Sequence, residues 1–201
     1  MHDAARPSHR PVDLPGHRAP AAGFEAPFDM LATCHDRVER MLALTAKLQQ
    51  HLLDKGCDEP ARQAARDVMR YFDIAAPLHH QDEELHVFPP LLAGPDPALR
   101  ALVQRLQKDH RQMEVAWTEA RRTLQAVADS SAAGWTPLTT AQTGGLDQLA
   151  ALYRRHLNDE DRQAYPAAQA ALSPAAVQAM SEDMMQRRGV PASPPGRLHG
   201  P

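Results

Sequence analysis

Two cysteines in 201 residues, Cys34 and Cys57, are too few and too far apart for a disulfide framework or a thiolate metal knot. They form no CxxC pair, so a reducing compartment, the cytoplasm, is the default expectation. Aromatics make up only 4% of the chain, which disfavours sheets, whose strands draw on aromatic and β-branched residues. A net charge of −3 gives no electrostatic footprint for nucleic acid or an acidic membrane. No apolar run is long enough to cross a bilayer or to form the core of a secretory signal. Residues 1–26 are rich in Pro, His, Arg and Ala and contain no apolar run, so a disordered tail is expected there. His2, His9 and His17 lack helical spacing and belong with solvent.

What the chain does have is histidine and glutamate in a repeated register. Leu78-His79-His80-Gln81-Asp82-Glu83-Glu84-Leu85-His86-Val87-Phe88-Pro89 puts three imidazoles and three carboxylates in a dozen residues. His156-Leu157-Asn158-Asp159-Glu160-Asp161 followed by Tyr165-Pro166 repeats its spacing of His, Glu, acid, aromatic and Pro. His35 and His110 each precede a Glu by four residues as well, at Glu39 and Glu114. His35 to His79 is 44 residues and His110 to His156 is 46, so the chain resembles a doubled helical hairpin.

Eleven His and nine Glu in 201 residues make about half of one His-x-x-x-Glu pair the chance expectation, yet five occur, at His35, His79, His80, His110 and His156. Surface pairing is the plain alternative, because residues four apart share a helix face. Surface pairs gain most with the acid N-terminal to the base, and all five run the other way. A metal site accounts for the pattern better. Neutral imidazole with carboxylate suits iron, manganese or zinc, and two available glutamates favour two ions over one.

Apolar periodicity and stop signals place the helices. The first is expected from Phe28 or Asp29 to Lys55, ending at Gly56. The second opens at Glu59-Pro60 and carries Val68, Tyr71, Phe72 and Ile74, with a kink or fresh start at Pro77. The third begins after Asp96 and runs to about Ala128, and the fourth spans roughly Thr139 to Leu172. A short fifth follows Ser173-Pro174 and ends at Gly189. The expected fold is all-α: an up-down-up-down four-helix bundle over residues 27–172, a tail at 1–26, and a short helix with a Pro-rich tail at 173–201. A ferritin-like site needs Glu-x-x-His on two helices; Glu83 and His86 supply one, but Gln163 stands where the second His would be. His86 is then a residue of the surface or of the site's surroundings. His51, near a helix C-terminus, stays out of the site.

The series His35, His79-His80-x-x-Glu83-Glu84-x-x-x-Phe88-Pro89, His110-x-x-x-Glu114 and His156-x-x-x-Glu160-x-x-x-x-Tyr165-Pro166 resembles the hemerythrin-like, HHE cation-binding family over about residues 28–172. The resemblance implies a four-helix bundle around two iron ions with a bridging oxo or hydroxo group, iron coming ahead of manganese or zinc. It makes His35, His79, His110 and His156 terminal ligands and Glu83 and Glu160 bridging carboxylates. His80 fills a position where some relatives place one more ligand. Glu114 stands where the oxygen carriers have a second His on the third helix, and Glu114 or Glu39 remains an additional possibility for a ligand or for a group fixing an imidazole. His80 as fifth imidazole is the arrangement expected, which leaves one coordination position open; with four imidazoles two stay open.

The ligand implied is a small diatomic, oxygen or nitric oxide, or else peroxide. No nucleic acid or membrane is expected, and any protein partner is left open. Two classes of function follow from the resemblance: a binding or sensing module, or a di-iron enzyme that decomposes peroxide or counters nitrosative stress. An iron-sensing or storage role belongs beside them. Leu31, Val38, Leu78, Met113, Trp117 and Tyr153 are candidates to line the open position, and Tyr153 is a candidate hydrogen-bond donor to a ligand.

Overall fold

Proline and short polar residues set where the helices begin. In the computed structural model, which describes residue 23 and residues 25–190, α1 spans Pro27–Lys55 with proline in its first turn, where a missing N–H is harmless. It stops at Gly56, whose φ of 78° lies in the left-handed region that glycine tolerates. Asp58 caps α2, Glu59–Asp82, by accepting from the Ala61 N–H, and its carboxylate also meets His51 Nε2 at 2.9 Å. A single π turn, Glu83–Val87, joins α2 to α3, Phe88–Ala93.

Asp96 caps α4, Pro97–Asp129. A 3-10 turn at Ala132–Gly134 leads to α5, Thr140–Asp159, which opens with a capping box between Thr139 and Gln142. A second π turn, Glu160–Ala164, joins α5 to α6, Tyr165–Ala171, and Ser173 caps α7, Pro174–Arg187. Among the described residues there is no strand, and no helix is long and apolar enough to cross a membrane. The expectations for residues 1–22, 24 and 191–201, with His2, His9 and His17, lie outside the described residues.

The long helices pack in a ring: α1 on α2, α2 on α4, α4 on α5 and α5 back on α1. Their buried faces form two apolar clusters. One holds Val38, Leu42, Leu48, Val68, Phe72, Met113, Leu124, Leu149 and Tyr153; the other holds Leu31, Val87, Phe88, Leu106, Ala168, Met180 and Met184. Each fully buried Leu, Met or Phe contributes about 1.5–3 kcal/mol through its removal from water. α1 and α4 run from the second cluster into the first past His35 and His110, whereas α2 and α5 lie in the first and the chain reaches the second through the π turns that carry Glu83 and Glu160. A polar layer is therefore held between two apolar plugs.

Two expectations need correction. Of the kink or fresh start expected at Pro77, the fresh start does not occur: α2 continues through it. Pro77 and Asp73 are both exposed, so the carbonyl that Pro77 leaves without a helical partner belongs to the solvent side. Ile74, expected in the apolar stripe, is 60% exposed.

Candidate metal centre

The polar layer contains His35 from α1, His79 from α2, His110 from α4 and His156 from α5, all buried, together with Glu83 and Glu160, both 0% exposed. Glutamates reach such depth only when something compensates them. The donors fall into two groups, His35, His79, Glu83 and Glu160, and Glu83, His110, His156 and Glu160. Within each, one ligand atom per residue lies within 4.8 Å of every other. Both glutamates belong to both groups. Around Glu83, Oε1 lies 3.2 Å from His79 Nε2 and Oε2 3.3 Å from His110 Nε2. Around Glu160, Oε2 lies 3.3 Å from His35 Nε2 and Oε1 3.0 Å from His156 Nε2.

The π turns explain how each glutamate is presented. The Phe88 N–H donates to the Glu83 carbonyl and the Tyr165 N–H to the Glu160 carbonyl, each five residues back. In that wider winding, residues five apart come onto one face, so the glutamate and the aromatic beyond it both turn inward. The next residue is Pro89 or Pro166, which has no N–H with which to restore the α register.

Acids outside the layer hold the outer ring nitrogens. Asp161 Oδ1 lies 2.8 Å from His35 Nδ1, and Glu84 Oε1 lies 3.0 Å from His110 Nδ1. Asp109 approaches His156 Nδ1 at 3.7 Å. Such partners fix ring orientation and leave Nε2 facing inward.

Electrostatics shows the strain of so many donors together. Burial alone would lower the His35 pKa, yet hydrogen bonds to Asp161, Glu160 and Glu83 carry it up to about 12. For His110 burial is likewise overcome, by Glu83 and Glu84, and the value rises to about 10. Burial pushes Glu83 up, but His79 and His110 hold it well below the usual carboxylate range. His79 is lowered, chiefly by burial.

The donor set fits a bound cation. Both nitrogens of His79 and both carboxylate oxygens of Glu160 are buried without a hydrogen bond, and each such group costs about 1–3 kcal/mol. His110 Nε2 and His156 Nε2 face each other at 3.0 Å, close to the separation of about 3 Å expected for neighbouring donors on an octahedral ion with bonds of about 2.1 Å. A cation satisfies the orphaned lone pairs together.

Of the residues singled out from sequence, six meet in these groups. His80 does not join either: it is half-buried, with its ring stacked on His110 at 4.1 Å between centroids. Glu39 and Glu114 are exposed, and the structure brings neither to the donor groups. His51 closes the α1–α2 turn through Asp58, and His86 pairs with Asp183 of α7 at 2.6 Å. Leu31, Val38, Met113 and Tyr153 are buried, while Leu78 and Trp117 are half-buried, the Trp117 indole N–H donating to Asp73.

A cleft of about 320 Å³ between α2 and α4, lined by Phe72, Met113, Trp117, Tyr153 and Glu114, reaches His80 and His110. A larger groove of about 660 Å³ between α4 and α5, lined by Val115, Ala116, Ala120 and Gly145, touches neither donor group. Sequence reasoning missed Asp161, Asp109 and the Tyr165 hydroxyl as parts of the site. Asp161 stands beside Glu160 as Glu84 stands beside Glu83, which was the available signal.

A helical bundle whose middle layer is two buried His/Glu groups is the mark of a cation-binding domain. The family described as the hemerythrin HHE cation binding domain matches residues 26–168, and this chain belongs to that family. An uncharacterized protein of Haemophilus influenzae is 32% identical over 96 residues, 48% of this chain and 55% of that protein. The match spans about half the length of this relative.

Proposed function

We propose that residues 27–172 form an up-down-up-down four-helix domain holding two iron ions, and that the pair binds oxygen, nitric oxide or peroxide. The observation that carries the reading is the sharing of Glu83 and Glu160 by two donor groups that are otherwise separate. His35 and His79 would serve one ion and His110 and His156 the other, with the two carboxylates spanning both. Bound iron would supply reversible one-electron chemistry and an open position for a small ligand.

The chain's own residues do the rest. Asp161 and Glu84 hold the outer nitrogens of His35 and His110, so their inner nitrogens stay aimed at the ions. The two apolar clusters keep bulk water from the layer on both sides. The cleft at His80 gives a small ligand a way in, and Phe72, Met113 and Tyr153 give that way an apolar wall. His80 stands beside the second group, where it can take a coordination position or exchange a proton with an incoming ligand.

Iron content and ligand cycling test the reading. Anaerobically reconstituted protein is expected to hold two irons per chain and to regain its reduced spectrum when oxygen is removed. Sustained turnover of added peroxide without such recovery would replace binding by catalysis. Less than one iron per chain would refute both.

A further inference from the structure

The internal repeat shows what one half of the site has and the other lacks. Phe88 and Tyr165 occupy equivalent places, each following its π turn, and each stacks on the histidine of the neighbouring hairpin. The Tyr165 ring lies 5.1 Å from that of His35 at an interplanar angle of 22°, and Phe88 lies 5.5 Å from His110 at 26°. Packing therefore needs an aromatic ring at both places and a hydroxyl at neither. The hydroxyl of Tyr165 is present only on the His35 side, and it is aimed into the layer.

Its surroundings are the inner donor atoms themselves. Tyr165 Oη lies 2.8 Å from His35 Nε2 and donates a short hydrogen bond to Glu83 Oε1. His79 Nε2 approaches that same Glu83 oxygen at 3.2 Å. Donor atoms bound at right angles to an ion with bonds of about 2.1 Å stand about 3 Å apart. The phenol oxygen thus has the spacing that a further donor on the same ion would have. His80 makes the converse asymmetry: its repeat counterpart is Leu157, and its ring lies against His110. At the donor layer each half of the repeat therefore has a polar group where the other has an apolar one.

The geometry points to Tyr165 as a phenolate ligand of the ion held by His35 and His79, which makes the two positions of the centre chemically unlike. The assignment rests on the metal reading above. The Tyr165 phenol proton and the proton on His35 Nε2 both leave to water as the ion enters, so that a neutral imidazole and an anionic oxygen face it. The extra negative charge favours the ferric state at that position over the other. His35 keeps its outer N–H on Asp161 throughout.

The test is spectroscopic. Wild-type protein and Tyr165→Phe are reconstituted with Fe(II), oxidised in air, assayed for iron and examined by visible absorption and resonance Raman. Wild type is expected to show a phenolate-to-Fe(III) charge-transfer band whose excitation enhances tyrosine ring modes; neither imidazole nor carboxylate produces one. Tyr165→Phe is expected to fold, since Phe88 shows that the ring alone suffices for packing, and to lose the band whatever iron it retains. Growth on ring-deuterated tyrosine is expected to shift those modes in the wild type, a readout that needs no variant. Iron in the wild type without phenolate modes would overturn the assignment and leave the metal reading standing. No iron in the wild type would overturn both.

Discussion

His79 and Glu160 carry the site's least compensated atoms, since neither imidazole nitrogen and neither carboxylate oxygen makes a hydrogen bond. An alanine at either position removes a donor from one group or from both. His79→Ala and Glu160→Ala are therefore expected to lose bound metal, with occupancy falling below half of wild type in elemental analysis. His51→Ala should keep it, because His51 Nε2 is engaged with Asp58 at the far α1–α2 turn. Equal retention in all three would contradict the ligand set.

Protons compete with the metal at the same residues. His35 and His110, raised to about 12 and about 10, hold protons at neutral pH in the metal-free fold. A raised folded pKa contributes stability that is complete below the unfolded value of about 6.5. It is lost as pH rises through about 10 for His110 and about 12 for His35. Metal needs those nitrogens free, so its entry releases protons and its hold weakens with acid. Calorimetric titration at neutral pH in buffers of different ionisation enthalpy is expected to report net proton release. The rise in melting temperature on adding metal is expected to be larger at mildly alkaline than at mildly acid pH. Buffer-independent heats would count against these protonation states.

At the scale of the helices, the site depends on two departures from α winding. Most of the architecture was legible: proline, aspartate and serine starts, a glycine stop, and an apolar stripe broken by one His per helix. The 3.6-residue period hid the π turns, although Glu83 with Phe88 and Glu160 with Tyr165, both five apart, were their visible trace. Pro77, expected to kink the helix or start a new one, does not start a new one. An exposed proline can leave its unpaired carbonyl to water, whereas Pro89 and Pro166 follow buried aromatics and help to hold the wider register. Pro166→Ala supplies an N–H that can bond to the Arg162 carbonyl and draw the turn back toward α. It is expected to speed loss of metal to a chelator several-fold, with helix content by circular dichroism unchanged. Unaltered loss would mean that the turn does not depend on the proline.

Across the whole molecule, the sequence repeat matches the order of the donor groups but gives no hint of how the chain closes over them. α7 does part of that. It packs on α1 and α2, buries Met180 and Met184 in the second apolar cluster, and brings Arg187 and Arg188 to Asp82 at 2.6 and 2.5 Å. Asp82 is 0% exposed and adjoins Glu83, so the clamp lies directly behind a shared carboxylate. Nothing in the local pattern of either segment announces a contact 106 residues long in sequence. Asp82→Ala leaves two cations facing a buried gap and is expected to destabilise the fold by about 3 kcal/mol in urea unfolding. A change under about 0.5 kcal/mol, typical of a surface substitution, would show that α7 is not clamped.

Two groups of buried donors sharing Glu83 and Glu160 define the centre. Metal quantification on anaerobically reconstituted, desalted wild-type protein tests that sharing most directly. Two ions per chain are predicted, both lost together in Glu160→Ala. One ion or none in the wild type, or a Glu160→Ala protein that still holds two, would contradict it.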